Sequence, residues 1–323
     1  MPEVTGSRKP PADPGTGLTG FAAREASEAS AEPTETERRE LDAAVELLAG
    51  RRMALLTGAG LSTDSGIPDY RGPDAPPRNP MTYQQFVGDP VLRQRYWARN
   101  HVGWHHLRHA VPNAGHEAVV HLEERGLLTG VITQNVDRLH SDAGSVRVID
   151  LHGRYDRVLC LSCGSVYTRE GIARLLERLN PGYLDRVAAE GEIAPDADAE
   201  VSDTADFVVA DCPVCEGMLK PDFVYFGENV PKDRVRLAYA AVDDAGALLV
   251  AGSSLTVMSG LRFVRHAAKE GKPVVIINRG QTRGDELADL KIDMGVGTAL
   301  QYLARSLPDA ASSVPHHPGR HSD

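Results

Sequence analysis

Short apolar runs alternate with helical patterns along most of the chain. Apolar residues recur at helical spacing over 41–48, and the apolar run Met53–Thr57 then leads into Gly58-Ala59-Gly60. An unbroken apolar run of this length that ends in glycines is typical of a buried parallel strand entering a tight loop. Similar runs recur at 130–133, 146–149, 247–251 and 273–277. Because helical stretches separate several of them, the pattern predicts an α/β fold with a doubly wound, Rossmann-like parallel sheet.

Two segments interrupt this alternation. Residues 73–114 are rich in Trp, Tyr, Arg and His, and residues 154–226 contain every cysteine of the chain. We expect the two segments to pack together as a smaller second domain. An acidic stretch inside the second segment, residues 190–206, is expected to form a surface loop.

The two ends of the chain differ from its middle. Residues 1–36 and 308–323 are rich in Pro and Ser and carry no apolar periodicity. Such segments bury too little apolar surface to offset the entropy of ordering, so we expect a disordered leader and a disordered tail around a folded unit at 37–307. The leader has no apolar core and contains several glutamates, which excludes a secretory signal and a mitochondrial transit peptide. A cytoplasmic protein is therefore expected.

The composition narrows the class of protein further. Of 323 residues, 41% are hydrophobic and 25% are charged, which is ordinary for a globular protein and allows a large buried core. No apolar run is long enough to cross a bilayer, so we expect no membrane partner. The net charge is −10. Because phosphate binding needs clustered Lys and Arg, direct nucleic-acid binding is not expected either.

The four cysteines form two C-x-x-C pairs, Cys160/Cys163 and Cys212/Cys215. Two such pairs can present four thiolates to one tetrahedral zinc ion, which leaves no open coordination position, so the zinc would be structural. A redox C-x-x-C is the alternative, but two pairs without a further cysteine favour metal. The second domain is therefore predicted to be a zinc ribbon with added helices. A zinc ribbon can also bind nucleic acid, which the acidic charge argues against.

The glycine loop after the first strand indicates a nucleotide site. Gly58 and Gly60 would let the backbone approach a diphosphate, and the start of a following helix would favour its negative charge. A lone G-x-G is weak, however, and Thr63 occupies the third glycine position of the dehydrogenase fingerprint. The loop is therefore still interpreted as a nucleotide-binding site, whereas an ordinary dehydrogenase is disfavoured.

Several longer motifs carry a family resemblance. Residues 58–71 read GAGLSTDSGIPDYR and resemble the signature loop of the sirtuins, as do TQNVDRLH at 133–140 and LHG at 151–153. The cysteine pairs follow in the sirtuin order, and after them come KPDFVYFGE at 220–228, GSSL at 252–255 and INRG at 277–280. The resemblance is collinear from residue 41 to residue 307. In detail the chain is most similar to the class II branch of the family.

The resemblance implies an activity and its reactants. Sirtuins remove acyl groups from lysine while consuming NAD, so the expected function is that of an NAD-dependent protein lysine deacylase, with acyl-lysine proteins or peptides as substrates. The expected products are nicotinamide, O-acyl-ADP-ribose and free lysine, and the cofactors are NAD as co-substrate and one structural Zn²⁺. The positions that the resemblance assigns to NAD are Gly58, Ala59, Gly60, Ser62, Ile67, Asp69, Tyr70, Arg71, Gln134, Asn135, Val136, Asp137, Gly252, Ser253, Ser254, Asn278, Arg279, Gly280 and Val296.

Three of the motif residues would do the chemistry. Asn135 and Asp137 would hold the nicotinamide amide, and His152 would act as general base on a ribose hydroxyl, for which its ordinary pKa near 6.5 is suitable. The flanking Gly153 and a place just after a predicted strand favour a catalytic His152 over a merely structural one. A mono-ADP-ribosyltransferase using the same NAD site is the alternative enzyme, and a non-catalytic NAD- and zinc-binding protein is the alternative of another class.

The substrate side of the site is implied by two segments and one residue pair. Phe226-Gly227-Glu228 and the region of Val257 would clamp a peptide as an added strand. Tyr96 and Arg99 lie three apart in a predicted helix, at the spacing that acidic-acyl sirtuins use at the base of their tunnel, so we expect a preference for glutaryl-type or branched acyl groups over acetyl. Tyr70 stands where many members have Phe, and Ser259 stands where many have Pro, which affects the nicotinamide exit and the peptide groove.

Overall fold

A computed structural model describes residues 32–70, 80–187 and 193–309 of the chain. Its helices are α1 (Glu35–Leu48), α2 (Tyr83–Gly88), α3 (Pro90–Leu107), α4 (Ala114–Glu124), α5 (Leu139–Ala143), α6 (Arg169–Leu179), α7 (Tyr183–Arg186), α8 (Lys232–Asp243), α9 (Met258–Lys269) and α10 (Val296–Ser306). Its strands are β1 (Met53–Thr57), β2 (Leu128–Thr133), β3 (Val148–Asp150), β4 (Gly153–Cys160), β5 (Val166–Thr168), β6 (Leu219–Phe223), β7 (Ala247–Ala251), β8 (Val274–Ile277) and β9 (Leu290–Ile292). No helix among these residues is long and apolar enough to span a bilayer.

The larger sheet has the strand order β3-β2-β1-β7-β8-β9, and every neighbouring pair in it is parallel. This confirms the predicted doubly wound α/β fold. The apolar runs at 53–57 and 247–251 coincide with β1 and β7. The run at 146–149 is displaced, because Val146 is 83% exposed and the strand begins two residues later. The edge strand β9 was not predicted, since Leu-Lys-Ile is too short to give a pattern.

Helices cover both faces of this sheet, as alternation along the strands requires. In β1, Met53 and Leu55 point into the core formed with α1, α4 and α10, whereas Ala54 and Leu56 point into the core formed with α8 and α9. All five residues of β1 are buried. A strand buried on both faces explains why its sequence reads as a continuous apolar run.

The second sheet is antiparallel, with the order β5-β4-β6, and it carries the cysteines at its end. One apolar cluster joins residues of both interrupting segments: Phe86 and Trp97 from the first, and Ile172 and Phe207 from the second. The two segments therefore share a core, which supports the proposed division into a large and a small domain. Residues 73–79 of the first segment lie outside the described residues.

The predicted ends of the folded unit are close to the described ones. Helix α1 begins at Glu35, so regular structure starts two residues before position 37. Thr34 caps the helix: its side chain accepts a hydrogen bond from the Glu37 backbone N–H, and the Glu37 side chain accepts one from the Thr34 backbone N–H. The Thr34 cap was not recognised in the sequence because it lies at the end of a stretch without apolar periodicity. Residues 1–31 and 310–323 lie outside the described residues.

The acidic stretch is not the surface loop that we expected. In its described part, residues 197–199 are buried, and only residues 200–206 mostly face solvent. Ala197 packs directly on α3, where a Cβ at Gly103 would come within 2.2 Å of the Ala197 carbonyl oxygen. The expectation was wrong because the number of acidic residues does not show that Asp198 pairs with Arg99 inside the fold.

Candidate active site

The carboxyl ends of β1, β2 and β7 open into one cavity of about 550 Å³. Ligands gather at this edge of an open parallel sheet because the loops that follow neighbouring strands converge there. The cavity brings together most of the residues that the sequence predicts for the site. They are Gly58, Ala59, Gly60, Ser62, Ile67, Asp69, Tyr70, Gln134, Asn135, Val136, Asp137, His152, Phe226, Gly227, Glu228, Gly252, Ser253, Ser254, Val257, Asn278, Arg279 and Val296.

Two glycine-containing loops interlock at the floor of this cavity. The Gly60 backbone N–H donates to the Gly252 carbonyl at 2.9 Å, and the Gly58 N–H donates to the carbonyl of Ala251 at 3.1 Å. A Cβ on Gly58 would approach the Gly252 oxygen to 2.7 Å, and Gly252 itself has a φ of +69°, which favours glycine. The loops after β1 and β7 therefore meet only because both lack side chains at the contact. This fits a site in which a diphosphate must approach the backbone closely.

A buried polar network links the first two signature loops. The Ser62 hydroxyl donates to Asp137 Oδ2 at 2.7 Å, and the Asn135 amide donates to Ser62 Oγ at 3.0 Å and to the Gly58 carbonyl at 3.0 Å. The Leu139 backbone N–H donates to the other oxygen of Asp137 at 2.9 Å. Burial raises the pKa of Asp137, while these two hydrogen bonds oppose that shift. The network holds an amide and a carboxylate, which are the groups needed to bind a carboxamide.

His152 lies after β3, and its two ring nitrogens have different partners. Nδ1 is 3.1 Å from the Gln134 carbonyl oxygen and Nε2 is 2.7 Å from Ser259 Oγ. Because a carbonyl can only accept, Nδ1 carries the proton, and Nε2 keeps the lone pair that accepts from the Ser259 hydroxyl. Burial lowers the pKa of His152 to about 4, so the ring is neutral at neutral pH and Nε2 can act as a base.

One side of the cavity is built around Gln134. Its side-chain oxygen accepts a hydrogen bond from the Ser253 hydroxyl, and its backbone N–H donates to the Thr57 carbonyl at 2.9 Å. Gln134 thereby connects the ends of β1 and β7 with the ring of His152. The amino end of α10, residues 295–298, also lines the cavity, where the helix dipole favours negative charge.

The 226–228 loop forms part of the cavity wall. Phe226 forms a parallel bridge with Thr82, and Tyr83 N–H donates to the Phe226 carbonyl at 2.9 Å. Glu228 anchors this loop, because its carboxylate accepts from Lys220 Nζ at 3.1 Å and from the Tyr225 backbone at 2.9 Å. Opposite, Val257 is 36% exposed. The 226–228 loop and Val257 thus both line the cavity.

Three predicted site residues do not take part in the cavity wall. Arg99 forms an ion pair with Asp198 at 2.9 Å and donates to the Ala199 carbonyl at 2.8 Å, so its charge is already used inside the small domain. Tyr96 is buried behind Tyr225, with ring centroids 5.3 Å apart. Gly280 has a φ of +73° and donates its backbone N–H to Asp293, so it shapes a turn instead of lining the cavity. Arg71 lies outside the described residues.

Other residues of the cavity were not assigned a role from the sequence. Asp196 and Tyr225 line it from the small domain, and Ser259 and Arg262 line it from the first turns of α9. Ser259 was noticed only as a departure from Pro, and its contact with His152 could not be seen because the two are 107 positions apart. Asp196 was hidden in the stretch interpreted as a surface loop. Arg262, three positions after Ser259, could have been found from the helical spacing.

The four cysteines fit one structural zinc ion. Their ligand atoms lie within 4.8 Å of one another, with Sγ–Sγ distances of 3.5 Å between Cys160 and Cys215 and 3.8 Å between Cys163 and Cys212. A tetrahedral site with Zn–S bonds of about 2.3 Å requires sulfurs about 3.8 Å apart. The two turns therefore place the thiolates as a zinc ion would need them. Both turns lie at the end of the β4–β6 pair, and an ion bound there would link them.

Comparison with known proteins decides the family. The sequence profile of the Sir2 family matches residues 58–259, which is more than half of the chain. The chain belongs to the Sir2 family. It is 60% identical over 282 residues to the NAD-dependent protein deacetylase 1 of Mycobacterium avium (strain 104), covering 87% of this chain and 99% of that protein. It is 54% identical over 257 residues to the NAD-dependent protein deacetylase 1 of Streptomyces coelicolor, covering 78% of this chain and 85% of that protein.

Solved structures of the Sir2 family share the fold. A structure of Sir2 with a p53 peptide and NAD⁺ is matched with a TM-score of 0.65 and 34% identity, covering 82% of this chain and 95% of that one. A structure of Sir2 bound to acetylated peptide is matched with a TM-score of 0.64 and 32% identity, covering 82% and 96%. The predicted sirtuin resemblance is thus confirmed at the level of the family.

Proposed function

We infer that this Sir2-family chain is an NAD-dependent protein lysine deacylase. The observation that carries the inference is the placement of the neutral His152, whose Nε2 is a hydrogen-bond acceptor, in the same cavity as the buried Asn135–Asp137 network. One group can take up a proton there while the other holds a carboxamide. The curated relatives at 60% and 54% identity bear the same activity in their names, which favours deacylation over mono-ADP-ribosyl transfer.

NAD is the co-substrate, and different residues around the cavity would bind different parts of it. We propose that the Gly58–Gly60 loop and Gly252–Ser254 receive the diphosphate, and that Asn278 and the start of α10 receive the adenosine end. The buried pair Asn135 and Asp137 would hold the nicotinamide amide. The support for this division is the single cavity that all these groups share.

The bound peptide would be an acyl-lysine segment in the groove between Phe226–Glu228 and Val257. Adding a strand between these two edges would point its acyl-lysine side chain into the cavity, toward the ribose. In the reaction, the acyl oxygen attacks the anomeric carbon, and nicotinamide leaves with the electron pair of the glycosidic bond. His152 Nε2 then removes the proton of a ribose hydroxyl. That oxygen attacks the acyl carbon, and free lysine departs as the amine after taking up a proton. Water then adds to the acyl carbon held between the two ribose oxygens, so that the acyl group ends as an ester on one oxygen of ADP-ribose and the other oxygen becomes a hydroxyl.

The acyl group is proposed to be acetyl or another uncharged chain. The only charge that the small domain adds to the cavity wall, among the described residues, is the carboxylate of Asp196. Arg99, which was expected to attract a carboxylate, is paired with Asp198. An acidic acyl chain would therefore meet like charge from the small domain and would gain nothing from Arg99, which reverses the preference expected from the Tyr96/Arg99 spacing.

A cytoplasmic location is proposed as well. Four cysteines placed for one ion need to stay reduced, and the cytosol keeps thiols reduced whereas oxidising compartments favour disulfides. Fractionation of cells that produce the tagged chain, followed by immunoblotting, would test this.

Mass spectrometry of the products tests the proposed activity. The chain is incubated with NAD and an acetyl-lysine peptide, with and without each reactant. O-acetyl-ADP-ribose together with free-lysine peptide supports deacylation. ADP-ribose attached to protein would instead indicate a transferase, and unchanged NAD would indicate a binding protein. In the same assay His152→Ala should lose about 10²–10⁴-fold in turnover while still binding NAD, since a general base contributes about this much. An unchanged kcat would remove His152 from the mechanism.

A further inference from the structure

A second group of metal-binding side chains lies outside both the cavity and the cysteine cluster. His101 and His105 stand four positions apart on α3, and Glu177 projects from α6 toward them. One ligand atom from each of the three lies within 4.8 Å of the other two. Residues four apart on a helix share a face, and a His pair at this spacing is a common way to present two imidazoles to one ion.

His101 supplies an independent sign that a ligand is missing. Its side chain is 1% exposed, yet neither of its ring nitrogens has a hydrogen-bond partner among the described residues. A buried polar atom without a partner is costly, and native proteins rarely leave both nitrogens of a histidine in this state. Burial lowers the pKa of His101 to about 3, so the ring is neutral and carries a lone pair for a metal.

The other two ligands make the position reachable from solvent. The His105 ring is 23% exposed and lies 3.2 Å, from Nε2 to Oε1, from Glu177, whose side chain is 42% exposed. An ion can therefore enter beside Glu177 and reach His101 at the buried end. Two imidazoles and one carboxylate leave a fourth position for water.

The positive charges nearby are partly compensated. The guanidinium of Arg169 lies over the rings of Trp97 and Trp104, at 5.5 Å and 4.8 Å from their centroids, and donates to Asn100. Arg108 is paired with Glu170 at 3.3 Å. Among the described residues, Glu177 provides the carboxylate that forms an ion-pair contact with His105.

We propose that His101, His105 and Glu177 form a second metal site, which takes one borderline divalent ion of the zinc class. Imidazole with a carboxylate suits zinc and nickel, in contrast to the hard oxygen sites of magnesium or calcium. The ion joins α3 to α6 and thus the two segments that build the small domain. It satisfies one orphaned nitrogen of His101 and stabilises the domain against which Tyr225 of the cavity packs. The site is more easily emptied than the four-cysteine site because three ligands and water hold it.

Zinc counting on the full chain tests the proposal. The background carries His316→Ala, His317→Ala and His321→Ala, because these sequence-adjacent tail histidines can bind metal by themselves. After equilibrium dialysis against ZnCl₂, elemental analysis should find about two zinc ions per chain, and about one after dialysis against a weak chelator. His105→Ala and Glu177→Gln should each hold about one under both conditions. His106→Ala, an exposed histidine next to the cluster, is the matched control and should hold about two.

Two further readouts separate the new site from the cysteines and from folding defects. Cobalt entering the second site should give weak d–d bands without the strong thiolate charge-transfer band of a cysteine site. Zinc at about 100 times its dissociation constant should favour the folded state about 100-fold, which raises Tm in the parent and in His106→Ala but not in Glu177→Gln. A single zinc in the parent at saturation overturns the proposal. So does a second zinc that persists in both His105→Ala and Glu177→Gln.

Discussion

Ser259 Oγ lies 2.7 Å from His152 Nε2, on the nitrogen that we propose as the acceptor of the ribose proton. The hydroxyl donates to this lone pair, so it favours the neutral ring and opposes protonation. Together with burial, which lowers the pKa of His152 to about 4, it keeps the base deprotonated through the physiological range. In the proposed reaction Ser259 turns away when a ribose hydroxyl takes its place, and its proposed role is to position His152.

Replacing Ser259 is expected to move the pH profile more than the rate. In Ser259→Ala the pKa of His152 should rise, so the acid limb of kcat/KM, expected below about pH 5 in the parent, shifts to higher pH. The loss of one neutral hydrogen bond is worth about 1 kcal/mol, so kcat near pH 7.5 should change less than about tenfold. The measurement is kcat/KM for an acetyl peptide from about pH 3.5 to about pH 9, a range that includes the acid limb expected from the lowered pKa of His152. An acid limb already near pH 6.5 in the parent would contradict the assignment.

Acyl preference follows from the pairing of Arg99 with Asp198. Acetyl-lysine peptide should be a better substrate than succinyl- or glutaryl-lysine peptide, and Asp196→Asn should improve the glutaryl substrate relative to acetyl by roughly tenfold. A charge about 10 Å away at an effective dielectric of ~20 contributes free energy of this order. Arg99→Met should leave the ranking unchanged. A parent that prefers glutaryl, and loses that preference in Arg99→Met, would restore the tunnel role expected from the sequence.

The cysteine cluster should be required for the small domain. Cys212→Ser should lose the tightly held zinc and unfold the β4–β6 end, because a structural zinc contributes its binding energy to folding. Activity should fall with it although no cysteine lines the cavity. The checks are zinc content after chelation, thermal melting and turnover, with Ser162→Ala, an exposed residue of the turn between Cys160 and Cys163, as control. An active, stable and zinc-free Cys212→Ser would refute the structural role.

Stability should decline as the pH falls below about 6.5. Burial lowers the pKa of His116 to about 2 and that of His140 to about 4, whereas both histidines titrate near 6.5 in the unfolded chain. Between these values the unfolded state binds more protons, so acidification favours unfolding by roughly 1.4 kcal/mol per pH unit for each such histidine. Urea unfolding at pH 7.0, 6.0 and 5.0 measures the slope. His116→Gln should make the slope shallower, and a flat profile in the parent would contradict the prediction.

The sequence by itself determined the central strands β1 and β7, the glycine loop after β1 and the two cysteine pairs. Met53–Thr57 and Ala247–Ala251 were recognisable because a strand buried on both faces must be apolar throughout. The glycines at 58 and 60 and the two cysteine pairs were recognisable because their chemistry depends on spacing within one turn. These features are local: each depends on residues that are close together in the sequence, so a sequence pattern can reveal it.

The tertiary structure alone decided which side chains meet across the chain. Arg99 has the spacing from Tyr96 that is expected of a substrate-binding pair. In the fold, however, Arg99 forms an ion pair with Asp198, 99 positions later, because the 194–199 segment packs on Gly103. Ser259 lies in the first turn of α9, and nothing in the sequence around it indicates its contact with His152. Asp196 lines the cavity, although the acidic composition of its segment predicts a surface loop. The physical reason is common to all three. The energy of a polar side chain depends on the partner that folding brings to it, and no spacing in the sequence encodes that distance.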